Sequence, residues 1–173
     1  MILVAFKTSQ RHFLKEKEAK KIILEFSGSV NVNTEQLLGS KPRIELVEAQ
    51  TAEVFIIDRK PVLMRLSGKL LPTLFFNGVF PILPKVIVNM GAVSYVCNGA
   101  DVMAPGVVRV DGDFEKNDVL LVVDERFGRS LAIGVALFDS QTMRKLAHGK
   151  LVKNLHYVGD KLWNLLKEKF DIV

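Results

Sequence analysis

Reactive and metal-binding residue types are scarce in this chain of 173 residues. It has one cysteine, Cys97, and three histidines, His12, His148 and His156. A single cysteine excludes an intramolecular disulfide, which fits a reducing cytosol. The four residues stand at no metal-ligand spacing. There is no glycine-rich nucleotide phosphate loop, and neither Ser94 nor Ser130 lies in a Gly-x-Ser-x-Gly frame. Cys97 has no basic or histidine neighbour and reads as a buried helix residue rather than a nucleophile. Asp124 and Glu125 point to opposite faces of a strand. The acidic run Asp111, Asp113, Glu115 and Asp118 misses the calcium-loop spacing and its closing glutamate. The expectation is a protein that is not an enzyme, with no catalytic set, no cofactor and no metal.

Long apolar runs are missing too. In the least charged stretch, 70–100, Lys85 is the only charge, but Pro72, Gly78, Pro81, Pro84 and Gly91 interrupt it. A membrane-spanning helix needs about 20 predominantly apolar residues in a row, so buried structure is expected there and no membrane contact. The opening MILVAFKTSQRH lacks a long apolar core and a small-residue cleavage site, so no secretory signal is read and a cytoplasmic location is expected.

What is present is ample apolar material, 49% of residues, with 25% charged, an ordinary mixture for a packed globular chain. The length fits two small domains. The net charge is +5, which favours polyanionic partners because Lys and Arg neutralise phosphates and release counterions. The excess is uneven: residues 1–84 carry 12 Lys/Arg against 8 Asp/Glu, and residues 85–173 carry 12 against 11. A basic surface in the second half must therefore come from clustering.

Along the chain, RHFLKEKEAKKIILEF (11–26) has the spacing of an amphipathic helix, with Gly28 ending it. Residues 43–49, 53–58 and 61–67 read as strands. From Lys85 the pattern becomes one of short strands around few helices: strands at 86–88, 101–109 (bent at Pro105-Gly106), 119–124, 130–138 and 151–158, and helices at 91–97, at 140–147 with Asp139 or Ser140 as cap, and at the C-terminus. Gly134, inside its strand, signals a bulge or a close backbone approach. The fold class is α+β, a small N-terminal unit (1–82) followed by a small barrel (83–173).

The stretch GAVSYVCNGADVMAPGVVRVDGDFEKNDVLLVV (91–123) resembles the core of the PUA domain, a pseudo-barrel of about six strands. Gly91-Ala92, Gly99-Ala100-Asp101-Val102-Met103, Pro105-Gly106-Val107 and Asn117-Asp118-Val119 carry the likeness, continued by Leu131 to Gly134 and Gly149-Lys150. Lys153 to Asp160 with Trp163, together with Pro72-Thr73-Leu74 and Ile82-Leu83-Pro84, are similar to one branch, the malignant T-cell-amplified sequence family and its archaeal relatives. Asn89, followed by Met90, stands where members commonly carry Asp. The resemblance covers about 72–163; over 1–60 it extends to the order of elements alone.

The resemblance implies a non-catalytic RNA-binding protein acting on a structured RNA such as tRNA or ribosomal RNA in translation. Its candidate site comprises Asn89, Met90, Gly91, Ala92, Gly99, Ala100, Met103, Ala104, Pro105, Gly106 and Val107. Lys85, Arg109, Lys150 and Lys153 are candidate phosphate contacts, and Asn154 and His156 candidate sugar or base contacts. Glycines let a phosphate backbone approach backbone N–H groups, and the first N–H groups of the 91–97 helix would face an anion with a positive dipole end. Bland readings stand beside these. The glycines could serve tight turns, Asp101 could brace a turn, Met103 could fill the barrel, Trp163 could be a packing anchor, and His156 could make a structural hydrogen bond. Two further functions compete: an accessory subunit that supplies the substrate handle for an RNA-modifying protein, and a protein–protein scaffold docking through residues 1–82, for which an exposed patch at Phe75, Phe76 and Phe80 would be the sign. A translation factor or an RNA-modifying enzyme is the protein partner these readings call for.

Overall fold

The computed structural model describes residues 11–172. They divide into two compact units, one made of 11–79 with 164–172 and the other of 80–163. The reading that the chain opens without a secretory signal falls mainly on residues 1–10, outside the described residues.

The first unit is an antiparallel meander whose strands neighbour one another in chain order: β1 (Arg11–Phe13), β2 (Ile44–Glu48), β3 (Glu53–Ile57), β4 (Lys60–Leu66) and β5 (Lys69–Pro72). Two helices, α1 (Glu16–Val30) and α2 (Thr34–Leu38), are inserted between β1 and β2. Residues 11–13, expected to be helical, are instead strand. They pair with Glu45–Val47, and Arg11 bridges Glu45 across that pair, so ladder pairing overrides the local helical spacing. Gly28 does not end α1. The helix continues to Val30 and stops where Asn31 takes a left-handed φ of 51°. Phe26 of α1 is fully buried, its ring centroid 6.0 Å from that of Phe76. Arg65 on β4 reaches both carboxylate oxygens of Glu25 on α1, at 2.7 and 2.8 Å, and Glu53 on β3 at 3.2 Å. Phe76 is buried and Phe75 and Phe80 are half-buried. The exposed patch that a scaffold reading requires is therefore not formed by these three rings.

The second unit holds β6 (Lys85–Val88), α3 (Met90–Val96), β7 (Val102–Met103), β8 (Val107–Asp111), β9 (Val119–Asp124), β10 (Ser130–Ala136), α4 (Ser140–Lys145) and β11 (Lys150–Tyr157). The last helix, α5 (Lys161–Lys169), starts here. The strands form one sheet in the order β7-β11-β10-β9-β6-β8, antiparallel except for the β6–β9 pair. The two outermost strands, β7 and β8, are consecutive in the chain and separated only by the single 3-10 turn Ala104–Gly106. Three residues span roughly 10 Å at most, so the sheet must curl until its edges meet: a half-barrel.

Its core is aliphatic. Val86, Val88, Leu120, Val122, Ala132, Leu151 and Val152 pack together, and every residue of β9 is buried. Gly134 marks a register shift against β11, as its place in the strand predicts. A Cβ there would lie 2.6 Å from Val152 Cγ1 and 2.7 Å from the Lys153 carbonyl oxygen. Asp139 caps α4 by accepting the Thr142 N–H at 2.8 Å.

Candidate nucleic-acid interface

Ten of the seventeen candidate residues, from Asn89 to Gly106, lie in the second unit between β6 and β8; the others are on β6, β8 and β11. Asn89 follows β6 and caps α3, its side chain accepting the Ala92 N–H at 3.0 Å. Its own N–H donates to the Gly106 carbonyl at 2.9 Å, tying α3 to the 3-10 turn. Between these two elements lies a cleft of about 330 Å³. Asn89, Gly91, Ala92, Ala100, Met103, Pro105 and Gly106 line it, together with Tyr95, Val96, Asp101 and Val102. Two of its walls are unusually open apolar side chains: Tyr95 is 69% exposed and Met103 45%. A concave, mostly apolar site with a few polar edges is the form expected of a pocket for a flat ligand.

Several candidates prove to hold the cleft rather than line it. The Asn154 amide nitrogen donates to the carbonyls of Val96 and Ala100, both at 3.0 Å. Its backbone N–H donates to Asp101 at 2.9 Å, and Lys150 pairs with the other Asp101 oxygen at 3.2 Å. Asn154 is thus a latch between β11 and the end of α3, a structural role that stands beside its nomination for sugar or base edges. Asp101 braces this turn. Gly99 has a φ of +93°, and a Cβ on it would stand 3.0 Å from the Tyr157 ring, so a side chain there would be strained in backbone and would press on that ring.

His156 is wholly buried and cannot touch an RNA directly, contrary to its nomination. Its Nδ1 lies 2.7 Å from Asp160 Oδ2. Burial opposes ionisation of the Asp160 carboxyl. The His156 ring and the N–H groups of Trp163 and Tyr157 outweigh that effect and hold it below its ordinary range.

The start of α3 is also less open than expected. The Met90 N–H is taken by the Glu125 carboxylate at 3.1 Å, and that of Ala92 by Asn89. The anion site foreseen at this helix end is therefore largely filled by the protein's own oxygens.

Ala104, Val107 and Arg109 face a second cleft, of about 370 Å³, with Arg144, Met143 and Leu146. Arg109 is engaged with Asp111 through two hydrogen bonds of 2.7 and 2.9 Å. That guanidinium holds the Asp111 carboxyl below its ordinary range. Lys85, on the neighbouring strand, donates to the Leu83 carbonyl, and Lys153 is exposed on β11. The four cations nominated for phosphate do not form a single cluster in the first cleft. Cys97 ends α3, and burial pushes its thiol up, in keeping with an inert residue. Among the described residues no three His, Cys, Asp or Glu side chains gather to hold a metal, and no helix is long and apolar enough to cross a membrane.

Sequence reasoning missed Tyr95, Glu125 and Arg144. Tyr95 was within reach: it lies three residues after Ala92, on the same helix face.

Comparison with known proteins finds a PUA domain over residues 84–158 and a domain of unknown function (DUF1947) over residues 10–76. An uncharacterised protein of Methanocaldococcus jannaschii is 36% identical over 156 residues, covering 90% of this chain and 96% of its own. Translation machinery-associated protein 20 of Schizosaccharomyces pombe is 30% identical over 138 residues, covering 70% and 75%. The crystal structure of an Aeropyrum pernix PUA domain, a tartrate complex, superposes with a TM-score of 0.82 at 27% identity over 95% of this chain and 97% of that one.

Proposed function

We propose, from the premise that this chain belongs to the PUA-domain family of translation machinery-associated protein 20 and the malignant T-cell-amplified sequence proteins, that it is a non-catalytic RNA-binding protein of translation whose 89–106 cleft receives the single-stranded end of a structured RNA such as tRNA or ribosomal RNA. RNA binding belongs to the second domain, 83–173. The observation that carries this reading is the cleft itself, which collects seven nominated residues beside an exposed Tyr95. Sequence-specific RNA recognition targets unstacked bases laid on aromatic side chains and read at their edges. Tyr95 supplies such a plane. The Asn89 and Asp101 side chains lie at its polar edge, though both are already hydrogen-bonded within the protein. Phosphate neutralisation falls to cations outside the cleft, among them Lys150 and Lys153.

The test is binding to total tRNA over a salt series, with and without the 3′ single-stranded end. The expected result is an affinity that falls linearly in log–log salt, drops when the end is removed, and drops by about 1–3 kcal/mol in Tyr95→Ala, the worth of one base stacked on an aromatic ring. Equal binding of trimmed and intact tRNA would refute the cleft as the site. Absence of binding at low salt, with co-purification of an RNA-modifying enzyme, would favour the accessory-subunit reading.

A further inference from the structure

A second aromatic platform stands at the tip of the β9–β10 hairpin, outside the nominated residues. Phe127 is 57% exposed. The guanidinium carbons of Arg129 and Arg126 lie over its ring at 4.7 and 5.3 Å from the centroid. The tip is built to be rigid. Asp124, buried at its base, accepts the N–H groups of Phe127, Arg126 and Arg129, and its own N–H donates to the Arg129 carbonyl. The backbone donors point inward, and the two cations and the ring are left facing outward in a fixed frame. The exposed carboxylate of the tip, Glu125, is turned onto the Met90 N–H.

That contact also sets the location. Glu125 donates its N–H to Val88 and accepts from Met90, so the tip begins beside the first residue of α3. Tyr95 lies near the other end of the same helix. From Met90 to Tyr95 the helix rises roughly 8 Å at about 1.5 Å per residue. Met90, 39% exposed, stands at the start of α3 where the tip begins. A single strand supplies a separate base for each ring.

We infer that the Arg126–Phe127–Arg129 tip is a second contact for single-stranded RNA, holding nucleotides beyond those in the 89–106 cleft by stacking on Phe127 and by two phosphate-directed guanidinium groups. The inference rests on the RNA-binding reading of that cleft. Magnitudes favour it: a cation–π contact at an exposed site is worth a factor of about 2–5, whereas stacking of a base on an aromatic ring is worth roughly 5–150. An arriving base therefore displaces one guanidinium from the ring with net gain. The freed guanidinium remains beside the polymer, where it pairs with phosphate bidentately.

The experiment measures fluorescence anisotropy of the full chain with labelled adenylate trimer and nonamer. The trimer is chosen to fill the cleft alone, and the nonamer to be long enough to run on past it. Phe127→Ala is expected to weaken the nonamer by roughly 5- to 150-fold and to leave the trimer within about twofold, while Phe127→Trp retains the nonamer. Arg126→Ala and Arg129→Ala should each lower the log–log salt slope for the nonamer by about 0.7. Nonamer affinity unchanged in Phe127→Ala, with Tyr95→Ala still weakening both oligomers, overturns the tip and leaves the cleft standing. Failure of the unaltered protein to bind either oligomer or tRNA overturns both. A loss in Phe127→Ala that Phe127→Trp fails to restore overturns stacking as the cause.

Discussion

Asn154 offers the sharpest test of how the cleft is held. Its amide nitrogen donates to two carbonyls, Val96 and Ala100, at 3.0 Å each. Asn154→Ala removes both bonds. At a net 0.5–1.5 kcal/mol per hydrogen bond, the expected loss is about 1–3 kcal/mol. Asn154→Asp keeps the shape but aims a carboxylate oxygen at two carbonyl oxygens, with Asp101 already accepting the backbone N–H of the same residue. It should cost at least about 1 kcal/mol more than alanine near neutral pH, because an uncompensated charge adds a desolvation penalty to the lost bonds. The two substitutions also differ in pH dependence. The introduced carboxyl is disfavoured as an anion in the fold, so its folded pKa lies above the unfolded value. Its relative stability is then full below the unfolded value, near about 3.9, and is lost as pH rises through the folded one. The aspartate–alanine gap should close in acid and open toward neutrality. Urea unfolding followed by the fluorescence of Trp163, the one tryptophan, reads this as a shift in midpoint at constant slope. An aspartate variant as stable as the alanine variant at pH ~7, or a gap independent of pH, would refute the latch.

Two further outcomes follow from the packing of the second unit. Gly134→Ala places a methyl 2.6 Å from Val152 Cγ1 and 2.7 Å from the Lys153 carbonyl oxygen; backbone cannot yield as a side chain tip can, so a loss of about 1–3 kcal/mol is expected in the urea midpoint, and an unchanged midpoint would mean that the bulge is looser than its geometry. Asp160, whose carboxyl is held below its ordinary range by His156 and by two N–H groups against the opposition of burial, contributes stability that is present above the unfolded aspartate value, about 3.9, and lost as pH falls through the lower folded one; Asp160→Asn should flatten the acid limb of the stability curve between pH ~2 and ~5, and parallel curves would sink this account.

The elements of the second unit were legible because they are locally encoded. Asp139 caps α4, Gly134 sits at the bulge, and the 91–123 pattern points to the half-barrel that the strand order describes. In the first unit the strands at β2, β3 and β4 could be read, but α2 and β5 were not, being short and weakly periodic. Arg11–Phe13 was misread because its pairing with β2, more than thirty residues away, leaves no trace in neighbouring spacing. The same limit acted at the site. Nothing local distinguishes a lysine that is exposed from one bonded to a carbonyl, or an asparagine that reads a ligand from one that latches a helix. His156 carries a polar ring in a strand of mixed character, yet it is buried between the half-buried Leu155 and Tyr157 and bonded to Asp160. Phe127 and its two arginines went unremarked, since a ring between cations becomes meaningful only once the hairpin that displays it is seen.

The meeting of the sheet's two outermost strands through Ala104–Gly106 has a dynamic consequence. Elsewhere each strand of the half-barrel is zipped to its neighbour by ladder hydrogen bonds. Along this seam no ladder joins β7 to β8 among the described residues: Ala104 donates to the Gly149 carbonyl beside β11, and the Gly106 carbonyl accepts from Asn89 beside β6. Opening along the seam breaks few bonds, so amides flanking it should exchange with solvent faster than those of β9 or β10. Both clefts lie along this line, and a polymer seated across it would act as a suture, recorded as slowed amide exchange on strands that are neighbours in the chain but lie at opposite ends of the sheet.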